Sequence, residues 1–455
     1  MALDRGNVQA LILEHYKATI TRHFLFSCGD KGSARAFLSD LVPKVTNGNA
    51  DLAAEREPML NIAVTWPGLI KLGAFDDIGG VAAAKAAFYW DFTEPPDPTA
   101  LCAYGGSVPE NWWNKRFKTE DIDLIVHLYC VSDATLASNT SDIRASAQKR
   151  GVTELIASKT GQPITGKAFN GRQLHFGYTD GISFPQVNWD DLPDRPDLLP
   201  RGKFLLGEWL ENAQAFPRAA PWTDITRDGT YMAFVWMYQD VAAFKKFLRE
   251  QGPIAAPHLA QADAEEWLAA KLMGRWRDGT PLVLSPDGPN SALSNADNFS
   301  YAADPKGFAC PFAAHIRVVD ARDQPLNAAN AAMFPDGFPR VLRRGCPYGP
   351  PLVGDDDDQQ DRGLVGMFLG ASIDQQFYPL TRWIGKTDFS DVTENHGQDP
   401  LIGGRSVPGA KQTFRIPTPN GPIEVGGLVD FVRIQGVAIG LLPSIGTLHN
   451  LSQYS

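Results

Sequence analysis

Asp180 has the setting that most favours chemistry in this sequence. It lies in the run HFGYTDGISFP, from His175 to Pro185, at an Asp-Gly turn between apolar and aromatic residues. Asp-Gly favours a turn because glycine tolerates positive φ and aspartate can bond to nearby backbone. Burial in an apolar pocket disfavours a charged carboxylate and raises its pKa towards the range where it works as acid and base. A solvated surface turn is the alternative.

His315 is the histidine with the most informative neighbours. It follows small and apolar residues in CPFAAHIRVVDAR, from Cys310 to Arg322, and arginines stand two and seven residues later, at Arg317 and Arg322. Neutral imidazole is a common ligand of haem iron, and arginines grip carboxylates such as haem propionates bidentately. The segment therefore indicates an iron ligand beside carboxylate-binding side chains. A core histidine with surface arginines is the alternative.

A pair of arginines, Arg343 and Arg344, precedes a turn in the segment RVLRRGCPYGP. The proline and glycine residues at its end predict that turn. An arginine that points inward needs a partner, because an unpaired buried charge is strongly unfavourable. We expect Asp180 to be that partner. A solvated basic turn explains the residues equally well.

Hydrophobic patterning predicts two successive units of similar order around these segments. The strands and helices expected in the first unit lie at 22–27, 33–41, 61–66, 69–72, 123–131 and 132–150, with a long loop at 92–118. Those of the second unit lie at 231–238, 241–251, 263–273, 364–369, 372–383 (disturbed by Pro379) and 431–442. This order favours antiparallel sheets covered by helices, which is an α+β fold. The Asp180 segment lies at the join.

Composition excludes several classes of protein. A chain of 455 residues, at roughly 150 per domain, predicts two or three domains. Its net charge of −10 argues against non-specific binding to nucleic acid and against attachment to anionic membranes. We expect neither nucleic acid nor membrane as a partner.

Cysteine usage and the first residues of the chain bear on its location. Five scattered cysteines without a C-x-x-C pair resemble neither a disulfide framework nor a zinc site. No apolar run reaches the roughly 20 residues of a membrane-spanning helix, and the N-terminal run is not that of a signal peptide. We expect a cytoplasmic protein, with export by another route left open.

Together, the three segments resemble the dye-decolorizing (DyP-type) haem peroxidase family. The run from Gly177 to Gly181 matches the family's G-x-x-D-G signature. The segment after His315 is similar to the family's proximal histidine region, and Leu342 to Gly345 is similar to its distal arginine region. Weaker similarities extend over nearly the whole chain and include Leu442-Pro443-Ser444 near its end.

The resemblance implies a fold and a division into domains. It implies two ferredoxin-like domains with antiparallel four-stranded sheets and helices packed on them, in a dimeric α/β-barrel-like arrangement. We expect residues 1–200 to form the first domain, ending in the G-x-x-D-G segment. Residues 201–455 would form the second domain and bind most of the haem b (iron protoporphyrin IX).

The resemblance also implies an activity. Hydrogen peroxide would oxidise the haem to an oxoferryl state, and dyes, phenols or other small aromatic donors would reduce it in one-electron steps. His315 would be the proximal iron ligand, Asp180 the distal acid and base, and Arg343 the distal cation. The residues expected at the haem are Arg322 (preferred over Arg317) for the propionates, Gly181, Ile182 and Ser183 on the distal face, and Phe368. A homo-oligomer is left open.

One position departs from the family pattern. Relatives usually place a bulky aromatic residue above the haem where this chain has Gly366, and Phe368 stands two residues later. Position 345 is also glycine, so no side-chain amide there can assist Arg343. The shape of the distal pocket is therefore open.

Three other functions compete with peroxidase activity. The chain could bind or deliver haem with only incidental turnover, or use haem in a related fold for chlorite breakdown or dehydration. A protein without haem is the fourth reading. The Asp180 and Arg343 pair favours a peroxidase, because simple carriage of haem needs neither residue.

Overall fold

Our computed structural model describes residues 2–16, 20–50, 58–156, 164–169, 171–193, 195, 197–208, 217–334, 337–386, 398–410 and 412–453. These residues form the predicted α+β fold. The strands are β1 Ile20–Cys28, β2 Met59–Val64, β3 Leu124–Cys130, β4 Val152–Leu155, β5 Thr165–Lys167, β6 Val187–Asn188, β7 Leu199–Pro200, β8 Thr230–Gln239, β9 Leu342–Arg343, β10 Cys346–Tyr348, β11 Gly363–Gly370, β12 Phe414–Ile416, β13 Ile423–Val425 and β14 Val432–Leu442. The α-helices are α1 Ala10–Leu13, α2 Lys31–Leu41, α3 Trp66–Lys71, α4 Gly80–Ala87, α5 Trp90–Thr93, α6 Asp133–Lys149, α7 Trp222–Thr226, α8 Val241–Ala255, α9 Gln261–Met273, α10 His315–Val319, α11 Ala328–Met333, α12 Tyr378–Lys386 and α13 Ile445–Ser452.

One antiparallel sheet organises the fold and closes on itself. Its strands follow the order β10-β5-β1-β3-β2-β14-β8-β11, and β10 also pairs with β11, which completes a barrel. Strands β4 and β9 extend the sheet outside this ring by pairing with β1 and β11. The halves of the chain meet at two junctions, where Val64 is registered with Leu441 and Gly166 with Tyr348.

Helix starts follow ordinary capping chemistry. The side chains of Asp30, Ser132, Asp240 and Ser444 accept backbone N–H groups at the starts of α2, α6, α8 and α13. Each cap satisfies a donor that the first helical turn leaves unpaired. Helices α8 and α9 pack together beneath the second half of the sheet, where Phe244 and Leu268 are fully buried. No helix among the described residues is long and apolar enough to cross a membrane.

Most predicted elements are present, and two expectations were wrong. Residues 372–383 are not broken at Pro379. A π-helical turn spans Ile373–Phe377, and α12 then begins at Tyr378, so the proline falls in the first helical turn, where its missing N–H is not needed. The expected loop at 92–118 contains short 3-10 helices at Gly105–Ser107 and Pro109–Lys115.

Polar side chains lie inside the barrel as well as apolar ones. His23 of β1 and His127 of β3 are registered opposite each other, and their Nδ1 atoms are 2.9 Å apart. Both rings contact Phe234 of β8. One Nδ1 must donate to the other, so the accepting imidazole is neutral. Burial lowers the pKa of His23 to about 3 and also lowers the pKa of His127.

Because burial lowers the pKa values of both histidines, we expect the protein to lose stability in acid. A histidine with a depressed folded-state pKa stabilises the fold above its unfolded value near 6.5, and this contribution is lost as the pH falls towards about 3. The free energy of unfolding should fall by up to about 1.4 kcal/mol per pH unit for each histidine. Urea unfolding of the wild type and of His23→Leu/His127→Leu at several pH values measures this. The double variant should show a shallower slope, whereas exposed His258→Leu should keep the wild-type slope. Equal slopes in all three proteins would contradict the assignment.

Candidate active site

His315 is fixed by a buried carboxylate. The residue begins α10, and its Nδ1 lies 2.6 Å from Oδ2 of Asp399. The side chain of Asp399 is 0% exposed, and its Oδ1 accepts the backbone N–H groups of Leu401 and Ile402. Since a carboxylate only accepts, the histidine Nδ1 carries the proton, and the lone pair remains on Nε2. This is the usual arrangement of a histidine that binds a metal.

The role of Asp399 was not predicted from the sequence. It lies 84 residues after His315, and no turn or motif links the two. Its loop is stiffened by Arg405, whose Nη2 donates to the carbonyl oxygen of Asp399 at 2.7 Å. Only the folded chain brings this carboxylate to the imidazole.

The expected pairing of Asp180 with Arg343 is present. Nη1 of Arg343 is 3.6 Å from Oδ1 of Asp180, and Nη2 donates to the carbonyl oxygen of Ser183 at 2.9 Å. The expected burial is not found, because the side chains of Asp180 and Arg343 are 46% and 43% exposed. The protein therefore offers a fixed guanidinium beside a half-exposed carboxylate.

Backbone contacts hold the Asp180 turn in place. The N–H of Asp180 donates to the carbonyl oxygen of Arg172, and the N–H of Thr179 donates to that of Arg277. Gly177 and Gly181 have φ values of 89° and 72°, which side-chain-bearing residues rarely adopt. The turn is therefore positioned by its own geometry as well as by its contact with Arg343.

The two adjacent arginines have different tasks. Arg344 is buried, and its guanidinium donates to the carbonyl oxygens of Leu11 and Ile12 at 2.7 and 3.0 Å. It fixes the N-terminal segment, whereas Arg343 faces the site. The same segment brings in His15, which sequence reasoning gave no role.

His15 contributes to the electrostatics of the distal side. Its ring packs against Phe184 at a centroid distance of 5.6 Å. His15 is exposed to solvent on one side, and neighbouring protein atoms lower its pKa; the charge of Arg344 adds to this, and Asp180 opposes it. These interactions place the imidazole close to the distal pair, although its isolated position in the sequence offered no signal.

The two arginines after His315 are held differently. The guanidinium of Arg317 is 1% exposed and is bound by Asp304, Gln324 and the carbonyl oxygen of Cys310. It is thus occupied within the protein, which argues against the propionate contact considered for it. Arg322 donates to both the carbonyl and the carboxylate of Asp297 but remains 17% exposed. The geometry favours Arg322.

Phe368 fills the position that Gly366 leaves open. A Cβ placed on Gly366 would lie 2.6 Å from Cε2 of Phe368, so the ring lies across the glycine. Phe368 is also the cross-strand partner of Arg343. Side chains alternate along a strand, so Gly366 and Phe368 point away from Met367, which contacts Tyr129 inside the barrel. The chain thus supplies an aromatic ring beside Arg343 from two residues further on.

The remaining predicted residues line the same turn. Ser183 supplies the carbonyl that binds Arg343, and the carbonyl of Gly181 accepts from Arg172. Ile182 packs on Gly279, where a Cβ would lie 2.6 Å from Cδ1 of the isoleucine.

The donor set fits a haem better than a bare ion. Within the described ranges, no group of three or more His, Cys, Asp or Glu side chains could hold a metal ion. A single imidazole with its Nδ1 committed to Asp399 retains a metal only if the metal carries further ligands of its own, as haem iron does. His315, Arg322, Arg343 and Phe368 are the residues that would hold or cover such a group.

Comparison with known proteins decides the family. No family model matches the chain. A dye-decolorizing peroxidase of Mycena epipterygia is 30% identical over 434 residues, which cover 88% of this chain and 76% of the relative. The chain belongs to the dye-decolorizing peroxidase family.

Other members of the family match this chain over nearly its whole length. The dye-decolorizing peroxidase msp1 of Mycetinis scorodonius is 28% identical and covers 99% of this chain and 88% of its own length. A solved dye-decolorizing peroxidase in complex with 2,6-dimethoxyphenol superposes with a TM-score of 0.77 at 24% identity, covering 99% of this chain and all of that one. This confirms the ferredoxin-like fold that the resemblance implied.

The contact between Gly366 and Phe368 generates a prediction. In Gly366→Ala the new methyl group displaces the ring, and the free energy of unfolding should fall by about 1–3 kcal/mol. Gly288→Ala is the control, because a Cβ there meets nothing within 4 Å, and its effect should stay within about 0.5 kcal/mol. Adding Phe368→Leu to Gly366→Ala should recover part of the loss. If Gly366→Ala is as stable as the control in chemical unfolding, the ring does not depend on the glycine.

Proposed function

We propose that this protein is a haem-dependent peroxidase that uses hydrogen peroxide to oxidise phenols, dyes or other small aromatic donors in one-electron steps. The observation that carries the proposal is the pairing of Arg343 with Asp180, together with His315, whose tautomer Asp399 fixes. Haem b, when bound to Nε2 of His315, would supply the redox chemistry. The dye-decolorizing peroxidases similar to the chain support the same reaction class.

Asp180 would move the proton that peroxide cleavage requires. Breaking the O–O bond heterolytically needs a proton transferred from the inner to the outer oxygen of hydrogen peroxide, so that water can leave. A carboxylate held by a rigid turn can accept that proton and return it. Its contact with Arg343 at 3.6 Å leaves room for rearrangement or for bridging water.

Arg343 would stabilise the negative charge that develops as the bond breaks. Its guanidinium is held by the carbonyl of Ser183 and by its place in β9, so little reorganisation is needed during the reaction. Phe368 would exclude water from one side of the same space. Asp399 would keep the imidazole of His315 oriented and electron-rich.

Phenolic donors are the substrates that the comparisons favour. The similar solved enzyme was obtained with 2,6-dimethoxyphenol, a small neutral phenol. The half-exposed distal pair is compatible with donors of this size. The expected cytoplasmic location stays a prediction.

We also propose the domain division at residue 200. The barrel strands of residues 1–200 are β5, β1, β3 and β2, and those of residues 201–455 are β14, β8, β11 and β10. Each set contributes four strands, and single registered residue pairs join them at Val64–Leu441 and Gly166–Tyr348.

Removal of the proposed iron ligand should remove the haem. The purified wild type should show a Soret band, and His315→Ala should lose most of it, because the substitution removes Nε2, the proposed ligand atom. The absorbance ratio of Soret to protein band measures this. Exposed His258→Ala is the control and should keep the wild-type ratio. An unchanged ratio in His315→Ala would remove this residue as the ligand.

Removal of either distal side chain should slow the reaction with peroxide. Stopped-flow mixing of Asp180→Asn and of Arg343→Leu with hydrogen peroxide should give rate constants at least about a hundredfold below wild type. Asp356→Asn and Arg415→Leu change exposed residues and should react at the wild-type rate. Wild-type rates in both distal variants, with the Soret band intact, would contradict the roles of Asp180 and Arg343 in peroxide cleavage.

A further inference from the structure

A cavity lies at one mouth of the barrel. It measures about 400 Å³, within the range of small-ligand sites, and barrel mouths are common places for such sites. Its walls come from the end of β8, the start of β14 and the segment just before β11, which lie at the same end of the barrel. The loop from Gly106 to Lys115 covers it.

Arg433 and Tyr238 form one wall. They are cross-strand partners in β14 and β8, so their side chains lie on the same side of the sheet. The guanidinium carbon of Arg433 is 4.6 Å from the centroid of the Tyr238 ring. This stacking fixes the plane of the guanidinium and leaves its N–H groups at the edge, where they can bind an anion.

Two cationic side chains share this cavity with one carboxylate. Arg433 and Lys115 both line it. Among the residues that the structure describes, neither forms a salt bridge or donates a hydrogen bond. Most partly buried arginines of the described chain, such as Arg317, Arg322 and Arg362, are paired with a carboxylate. In a protein with a net charge of −10, a half-buried arginine that has no carboxylate partner among the described residues, beside the exposed Lys115, indicates an anionic ligand.

The backbone around the cavity is shaped to expose these groups. The register of β14 shifts between Ile434 and Gly436, and this bulge turns Gln435 towards the cavity. A Cβ on Gly106 would lie 2.7 Å from Cδ of Arg433, so the loop backbone lies directly on the arginine. Lys115 has a φ of 68°, a strained value for a residue with a side chain.

A carboxylate forms another part of the cavity wall. Asp361 lines the same cavity, and its Oδ1 accepts the hydroxyl of Tyr348 at 3.3 Å. It repels an anionic group but accepts a hydroxyl. A ligand with both groups is therefore oriented, with its anion towards Arg433 and Lys115 and its hydroxyl towards Asp361. An aromatic ring between them would lie near Tyr238.

We infer that this cavity binds a hydroxylated aromatic carboxylate. The inference does not depend on the proposed peroxidase activity, because none of the residues of this cavity belongs to the candidate active site. The cations Arg433 and Lys115 bind the carboxylate end of the ligand, and Asp361 accepts its hydroxyl. The cavity volume limits the ligand to a small molecule.

Calorimetric titration with 4-hydroxybenzoate tests the inference. The full chain, with cyanide present to block the iron site, should bind one molecule saturably. Arg433→Gln should bind at least about tenfold more weakly, because it loses a charge-assisted hydrogen bond, and Lys115→Gln should also bind more weakly. Benzoate and phenol, which each lack one of the two groups, should bind more weakly than 4-hydroxybenzoate. Asp361→Asn should reduce the preference over benzoate.

Control variants distinguish binding in this cavity from binding elsewhere on the protein. Arg415→Gln, on the hairpin of β12 and β13, removes a positive charge elsewhere and should leave the affinity unchanged. His315→Ala should also keep it, even where peroxidase activity is lost, so failure of one proposal is distinguishable from failure of the other. Thermal unfolding shows whether Arg433→Gln is folded. Lys115→Gln changes an exposed residue, so it tests the loss of a cation without a risk to folding. Absence of saturable binding in the wild type, or equal affinity in wild type, Arg433→Gln and Lys115→Gln, would overturn the inference.

Discussion

The hydrogen bond between Nδ1 of His315 and Oδ2 of Asp399 is the contact on which the arrangement of the candidate site depends. A fully buried carboxylate is costly unless its oxygens are satisfied, and here two backbone N–H groups and the imidazole satisfy them. These hydrogen bonds offset the unfavourable free energy of burying Asp399. One of them also fixes the histidine at the start of a five-residue helix. Without this carboxylate, the short helix offers little to orient the ring.

The barrel supplies the opposite side of the site. Strand β11 pairs with β8 over its whole length and carries β9 at its edge, so Arg343 is held in register with Phe368. Asp180 arrives from the other half of the chain on a turn that two glycines and two backbone hydrogen bonds define. The acid and the arginine therefore meet because two separately folded segments are each rigid, and their own contact at 3.6 Å is weak.

How far the sequence could predict this site depended on the range of the interactions. The turn at Asp180 and the helices of both halves follow from local rules, and the partner expected for Arg343 proved correct. Asp399 could not be found, because the hydrogen bond spans 84 residues and its loop carries no motif. Arg317 and Arg322 look alike in sequence, and only burial against Asp304 separates them. The exposure of Asp180 was likewise misjudged, because its apolar neighbours point towards α8 and α9 rather than around the carboxylate.

The reduction potential of the haem in Asp399→Asn tests the central claim most directly. An aspartate that accepts from Nδ1 makes the imidazole a stronger donor to iron and stabilises the oxidised metal. We expect a more positive potential in Asp399→Asn than in wild type, with exposed Asp356→Asn unchanged. Equal potentials in wild type and Asp399→Asn would contradict it, because the buried carboxylate would then not act on an iron-bound His315.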